Sequence, residues 1–439
     1  MKIPAKKIRI RLAHDFESLP RTDDVKLELN EHYSNFEKLH LSPETITGLF
    51  KCGFHFLTPI QQKAIPLGRM GVDLILQSKA GTGKTCVFTV IALETINFDI
   101  LSPQVIILVP SREIAFQIKI AILNIGQGYS NLKVACFVGG YKIKDKENSD
   151  DKLLELYSSH IIIGTPSRIK HFMYLKLINL QMVKLFIIDE VDQIFRVKEH
   201  EEMINWIYSS LAKTKQIIIT SATYSNHLIK IFYEKYMNMP LIIRIDDDDV
   251  QLKGVKQYVK IFEEDEISDT DDLLDDHDGK NFKSHSRLEN SKKYVRASNM
   301  FQKKMEYVIK LFSTIDFKQC FIFCNHNKDL RKIQAAFKAY NLKNKLADCN
   351  DEITNNGAIK MTSRWLCSQQ PIQTRLEILK NFRNEQFRIL ITSDVMSRGI
   401  DIKNSDMVIN FELPMSPDRY IHRIGRCGRL LNKNCYWLP

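Results

Sequence analysis

Short apolar runs recur along the chain, separated by longer stretches in which apolar positions fall at helical spacing. In the first half the runs are Asp73–Gln77, Gln104–Val109, His160–Ile163, Leu185–Ile188 and Gln216–Ile219. They are rich in β-branched residues and apolar on both faces. Strands of a parallel sheet read this way when helices cover both sides. The pattern returns at Cys320–Cys324, Phe387–Thr392 and Met407–Phe411, and Asn434–Leu438 reads as a final strand. The expectation is an α/β chain of two domains, each a parallel sheet with helices on both faces. Residues 1–30 read as a flexible basic tail, 31–245 as the first domain, 246–252 as a linker and 253–439 as the second domain. Within the second domain, 263–298 is acidic, polar and poor in apolar residues, which predicts a disordered insertion. Gly254–Phe262 alternates like an edge strand, and Asn350–Ser363 reads as a loop.

Composition narrows the classes of function. A length of 439 residues exceeds the usual size of one domain. No apolar run approaches the roughly 18 residues that a membrane span needs, so no membrane partner is expected. The nine cysteines lack paired spacing; Cys320 and Cys324 have no second pair to complete a zinc site. Reduced thiols and a cytoplasmic and nuclear location are the expectation. The formal net charge is +11 despite the acidic stretches Asp246–Asp249 and Glu263–Asp278. The remaining surface is therefore more basic than the total, which favours a polyanionic partner, nucleic acid first.

The chemistry-bearing residues follow the apolar strands, at the edge where open parallel sheets bind ligands. Ser78-Lys-Ala-Gly-Thr-Gly-Lys-Thr85 fits a P-loop between strand and helix. Small residues there let backbone N–H groups wrap phosphates, and the helix N-terminus adds partial positive charge. Ala80, Gly81, Thr82 and Gly83 would form the cradle, Lys84 would reach the β- and γ-phosphates of ATP, and the Thr85 hydroxyl would hold Mg²⁺. Asp189-Glu190-Val191-Asp192 ends a buried strand, where carboxylates are costly unless they meet a cation or water. Asp189 fits the Mg²⁺ partner, and Glu190 the group that orients or deprotonates the attacking water. Arg426 and Arg429, three apart in a glycine-spaced turn, suit a finger reaching the γ-phosphate from the second domain.

In this order and spacing, these elements resemble the DEAD-box branch of ATP-dependent RNA helicases, from about Phe36 to Arg429. That resemblance implies two RecA-like domains, neither of which holds the complete site alone, in a monomeric catalytic core. It implies further site residues. Gly53-Phe54 to Gln61 resembles an adenine-reading motif in which Phe54 stacks on the base and Gln61 bonds its edge, with Phe36 as the upstream aromatic. Arg112, Gly140, Thr165 and Arg168 match RNA contacts of the first domain, and Ser393 and Arg398 those of the second. Gly399 and Asp401 match positions near the ATP ribose. Ser221 and Thr223 match the motif that couples ATP to RNA through Asp192. The pattern departs from the family at Ser78, Ser111, Ser167 and Val191. At Ile372 a glutamine is displaced ahead of Arg375, and the family's closing helix does not follow Leu438. Ala64–Arg69, Gly83–Phe88 and the stretch Ile204–Leu211 are similar to helicases of survival-of-motor-neuron complexes. That likeness implies RNA and the proteins of such complexes as partners, in the assembly of spliceosomal small ribonucleoproteins. A non-catalytic RNA clamp or assembly scaffold is the rival from another class. A P-loop ATPase acting on protein or DNA is a further one, against which the Gln61 motif and the arginine set argue.

Overall fold

Successive residues of a strand point to opposite faces, and in the first unit both faces find a core. Leu74, Leu76, Val105, Ile107, Leu185 and Ile187 join one buried cluster, whereas Ile75, Ile106, Leu108, Phe186 and Ile188 join the other. This two-sided burial explains why the runs are continuously apolar rather than alternating. The structure, a computed structural model, describes residues 8–12, 35–78, 82–139, 158–221, 226–245, 255–262, 284–344, 360–394, 405–427 and 436–438. The chain divides into two compact units at residues 250 and 251. The expected linker, 246–252, lies outside the described residues.

The first unit contains β1 (Ile8–Leu12), β2 (Leu74–Gln77), β3 (Val105–Leu108), β4 (Val134–Phe137), β5 (Ile161–Gly164), β6 (Leu185–Ile188), β7 (Gln216–Ser221) and β8 (Leu241–Ile245). Their order across the sheet is β1-β8-β2-β7-β6-β3-β5-β4. All neighbours are parallel except β1, which pairs antiparallel with β8 from Ile8 opposite Ile245 to Leu12 opposite Leu241. Helices Pro43–Lys51, Pro59–Arg69, Lys84–Thr95 and Arg112–Ile125 cover one face. Helices Pro166–Tyr174, Val191–Ile194, Lys198–Ser210 and Asn226–Lys235 cover the other. Several begin with Ser or Thr followed by Pro, as at Ser42-Pro43, Thr58-Pro59 and Thr165-Pro166. Proline suits a first helical position because its missing N–H would have no partner there and its φ is already helical.

In the second unit β9 (Gln319–Phe323), β10 (Ser363–Leu366), β11 (Ile389–Thr392), β12 (Ser405–Asn410) and β13 (Tyr436–Leu438) form a parallel sheet in the order β10-β11-β9-β12-β13. Cys320, Ile322 and Cys324 face a core shared with Phe312 and Phe337 from helices Ser284–Thr314 and Asn327–Lys343. Phe321 points the other way, edge-on to Phe382 of helix Ile372–Arg383. Among the described residues no two cysteines are joined by a disulfide. Burial pushes the Cys86 thiol up to about 12 and raises those of Cys320 and Cys324.

Three expectations need correction. Part of the basic tail is the strand β1, because β8 would otherwise present an open edge to which an extended segment can bond. The expected insertion 263–298 is helical from Ser284 onward, whereas 263–283 lie outside the described residues. Its Lys, Arg and Ala residues are tolerated in a helix, and extending the packed turns of 298–314 needs no new nucleus. The segment 255–262 joins no strand ladder among the described residues. It has a single bridge at Val255, and Val259 and Ile261 are exposed.

Candidate active site

The P-loop helix starts at Lys84, directly after Gly83, whose φ of 97° lies in the left-handed region. Only glycine adopts this without strain. A Cβ there would also collide with the amide nitrogen of Gln61. Gln61 itself is buried, and its side-chain carbonyl accepts the Thr58 N–H at 2.8 Å. The residues expected to read adenine and to cradle phosphate are therefore in direct contact.

Lys84 is buried, and its ammonium donates to the Ser78 carbonyl oxygen. Burial holds the ammonium below the usual lysine value; Glu190, Asp189 and Asp192, in that order of strength, oppose the shift. Asp189 is the converse case. Burial pushes its carboxyl above the usual range, while the Thr220 hydroxyl, Lys84 and the Glu190 N–H act to lower it. The Thr220 hydroxyl and the Glu190 N–H, the latter at 3.1 Å, both donate to this carboxylate. Glu190 adopts φ 52° and ψ 48°, a left-handed conformation that a non-glycine residue holds only at a cost. The Glu190 carboxylate accepts the Gln193 side-chain N–H at 3.3 Å. The Ser221 hydroxyl donates to Asp192 at 2.6 Å, so these two coupling candidates touch. Buried Lys84, Asp189 and Glu190, with the half-buried Asp192, form a cluster of one cation and three carboxylates beside Gly83. Its donor set fits a nucleoside triphosphate with a divalent cation.

The RNA-binding candidates of the first unit lie along the same sheet edge. Arg112 begins the helix after β3, which Ser111 caps by accepting the Ile114 N–H at 3.4 Å. A Cβ on Gly139, just past β4, would come within 2.9 Å of the Arg112 guanidinium, so glycine leaves that side chain its room. Thr165 precedes the helix after β5, and Arg168 on that helix lies 4.5 Å from the Phe172 ring centre. Strands β3, β5 and β4 are neighbours, and so are β2, β7 and β6. The carboxyl edge is thus divided into a half that carries Lys84, Asp189 and Glu190 and a half that carries Arg112, Thr165 and Arg168.

In the second unit, Ser393 is buried directly after β11 and Asp394 follows it. Arg423, on helix Pro417–Ile424, is fully buried. It donates to Asp394 at 2.6 Å, to the Asn325 side chain at 2.7 Å, to the Glu412 carbonyl at 3.0 Å and to the Asn410 side chain at 3.2 Å. Sequence reasoning assigned no role to this residue. The available signal was positional: Asn325, Asp394 and Asn410 each stand at the carboxyl end of a strand. Arg426 follows the same helix, buried, with its Nε donating to the His422 carbonyl at 3.3 Å.

Two adenine candidates differ. Phe54 is half-buried and packs against the first core, whereas Phe36 is wholly buried inside it. Phe36 is corrected from a cofactor contact to a core residue, because no ligand reaches a ring with no exposed surface. Ala80, Gly81, Gly140, Thr223, Arg398, Gly399, Asp401 and Arg429 lie outside the described residues.

Family models match both halves of the chain: a DEAD/DEAH box helicase over residues 58–231 and a helicase conserved C-terminal domain over 303–430. An ATP-dependent RNA helicase eIF4A from Lodderomyces elongisporus is 32% identical over 95% of this chain and 90% of its own length. The chain belongs to the DEAD-box family of ATP-dependent RNA helicases. Another member of the family, the mouse protein described as probable ATP-dependent RNA helicase DDX20, is 34% identical over 97% of this chain. The chain spans only 45% of that relative's length. Among solved structures, S. cerevisiae Dbp5 bound to RNA and ADP BeF3 superposes with a TM-score of 0.69. The match covers 92% of this chain and 88% of that one at 24% identity, and it supports the fold alone. The DEAD-box resemblance read from the motifs is confirmed, with the tandem RecA-like fold it implies.

Proposed function

We propose that this chain hydrolyses ATP in response to RNA and uses the cycle to separate short duplexes or remodel ribonucleoproteins. The observation that carries the proposal is the buried Lys84 facing Asp189, Glu190 and Asp192 beside the left-handed Gly83. In this reading Gly83 and Lys84 receive the phosphates, Glu190 orients or deprotonates the attacking water, and Arg426 offsets charge on the transferred group. Thr85 and Asp189 would hold Mg²⁺, which supplies a Lewis acid for the phosphoryl oxygens. Phe54 and Gln61 select the base. Arg112, Thr165 and Arg168 grip RNA phosphates, contacts that bind without reading sequence.

The finer reading is a role in assembling spliceosomal small ribonucleoproteins, with proteins of a survival-of-motor-neuron complex as partners, in cytoplasm and nucleus. Its support is the likeness of the Ala64–Arg69, Gly83–Phe88 and Ile204–Leu211 stretches to helicases of such complexes, alongside the identity to the mouse relative.

Phosphate release with and without RNA tests the activity. The wild type should be stimulated by RNA, and Lys84→Ala or Glu190→Gln should lower turnover about 100-fold or more. ATP-dependent RNA binding without turnover in the wild type would instead identify a non-catalytic clamp. Equal stimulation by DNA would remove the RNA assignment.

A further inference from the structure

Helix Lys84–Thr95 ends in a carboxylate that the helix itself does not favour. Glu94 lies in its last turn, where the helix dipole presents partial negative charge. The side chain is only 6% exposed, and the groups it meets belong to other elements. One oxygen accepts the Ser42 N–H at 3.1 Å and the Thr45 hydroxyl at 2.8 Å, at the start of helix Pro43–Lys51. The other lies 3.4 Å from the guanidinium of Arg69, the last residue of helix Pro59–Arg69. Arg69 also donates to the Leu39 carbonyl at 2.6 Å. Each of these two helices carries a base-reading candidate at its other end. The Phe54 N–H donates to the Leu49 carbonyl at 2.9 Å, so Phe54 moves with helix Pro43–Lys51. Gln61 stands in the first turn of helix Pro59–Arg69, against Gly83. Helices Pro59–Arg69 and Lys84–Thr95 are thus joined at both ends, by Gln61 against Gly83 and by Arg69 against Glu94.

We infer that Glu94 is a positioning residue that holds Phe54 and Gln61 in register with Gly83 and Lys84, and so raises the affinity for the adenine of ATP. The inference rests on the ATP-binding reading above. Ten helical residues put Glu94 about 15 Å along the axis from Lys84, too far to touch the phosphates. It acts through the helices it joins, whose packed side chains transmit small displacements. Its loss should therefore appear in binding of the base and not in the chemical step.

Titration calorimetry of the full chain with ATP and with GTP, for wild type, Glu94→Gln and Glu94→Ala, tests this. Glutamine keeps the volume and one acceptor oxygen but gives up the charge that faces Arg69, whereas alanine gives up all three contacts. ATP binding should weaken about three- to tenfold in Glu94→Gln, the worth of one hydrogen bond to the base, and further in Glu94→Ala. Guanine presents acceptors where adenine presents a donor beside an acceptor, so Gln61 fits it poorly. GTP affinity should therefore change by less than about twofold, and the preference for ATP should fall. The ATP KM should rise with kcat kept; a merely structural loss of folded protein would lower kcat and leave KM alone. If Glu94→Ala fails to fold, Glu94→Gln decides by itself. ATP affinity of Glu94→Gln within about twofold of wild type overturns the inference. Equal weakening toward GTP also overturns it, because the phosphate contacts would then be what Glu94 supports. A wild type that binds no ATP removes the proposed function and this inference together. A wild type that binds ATP, with Glu94→Gln unchanged, removes only the inference.

Discussion

The two units place charged side chains at the carboxyl ends of parallel strands and surround them in opposite ways. In the first, the Lys84 ammonium is buried beside Glu190, Asp189 and Asp192, yet burial still lowers its pKa. Its neighbours do not offset the loss of water. In the second, Arg423 is even more buried and meets acceptors on or just past β9, β11 and β12, with the Phe323 ring 5.4 Å away. A guanidinium in a fixed fork can serve several strand ends at once, whereas an ammonium is a compact charge that shifts its pKa readily when buried. The comparison separates two uses of a buried cation. Arg423 locks strands and the helix leading to Arg426 together, and Lys84 is held by the loop that a ligand would enter.

The largest effect should come from breaking the locked region. Arg423→Ala leaves Asp394 and both asparagines without their common donor, and should cost the second unit about 3–5 kcal/mol. Urea unfolding of the full chain would show it, and a loss below about 1 kcal/mol would erase the contrast between the regions. A smaller effect follows from Lys84. Its folded-state pKa lies below the ordinary 10.5, so between the two values the unfolded chain binds more protons. The stability of wild type relative to Lys84→Met should therefore rise as pH climbs toward 10.5, and should be lowest below the folded-state value. A flat difference in urea midpoints across that range would show that the ammonium is not desolvated. The smallest effect should be Gly139→Ala, whose new Cβ lies 2.9 Å from the far end of the Arg112 side chain. RNA binding should weaken about two- to fivefold, the worth of one exposed ionic contact. The loss should be the same on any RNA sequence; a sequence-dependent loss would make Arg112 a base reader.

Some elements announced themselves and others did not, for identifiable reasons. The runs at Leu185–Ile188 and Cys320–Cys324 were legible because burial on both faces leaves a continuous apolar signature. Leu241–Ile245 carries a comparable run interrupted by Arg244 and without an adjoining motif, and Val134–Phe137 is a short run of four residues ahead of Gly139 and Gly140. β1 was illegible because alternating arginine and isoleucine near a terminus reads equally well as a tail. Ser284–Thr314 was misread in its first part because polar composition marks loops and exposed helix surfaces alike. Phe36 shows the same limit within the site: an aromatic at a motif position has one appearance whether it meets a ligand or fills a core.

What the sequence determined by itself was the set of reactive groups and their places after strands, since local spacing carries the P-loop, the carboxylates and the arginines. What only the tertiary structure decided was which of them are neighbours. Strand order sets β2, β7 and β6 side by side and β3, β5 and β4 beside them, so residues over a hundred positions apart, such as Lys84 and Glu190, share one buried field. Chain order holds no such information, because crossover connections let a parallel sheet arrange its strands in a sequence different from the one in which they are made. The same crossovers bring Asn325, Asp394 and Asn410 around Arg423 and make a scaffold of an arginine that, read as letters, looked like one more basic residue in a turn.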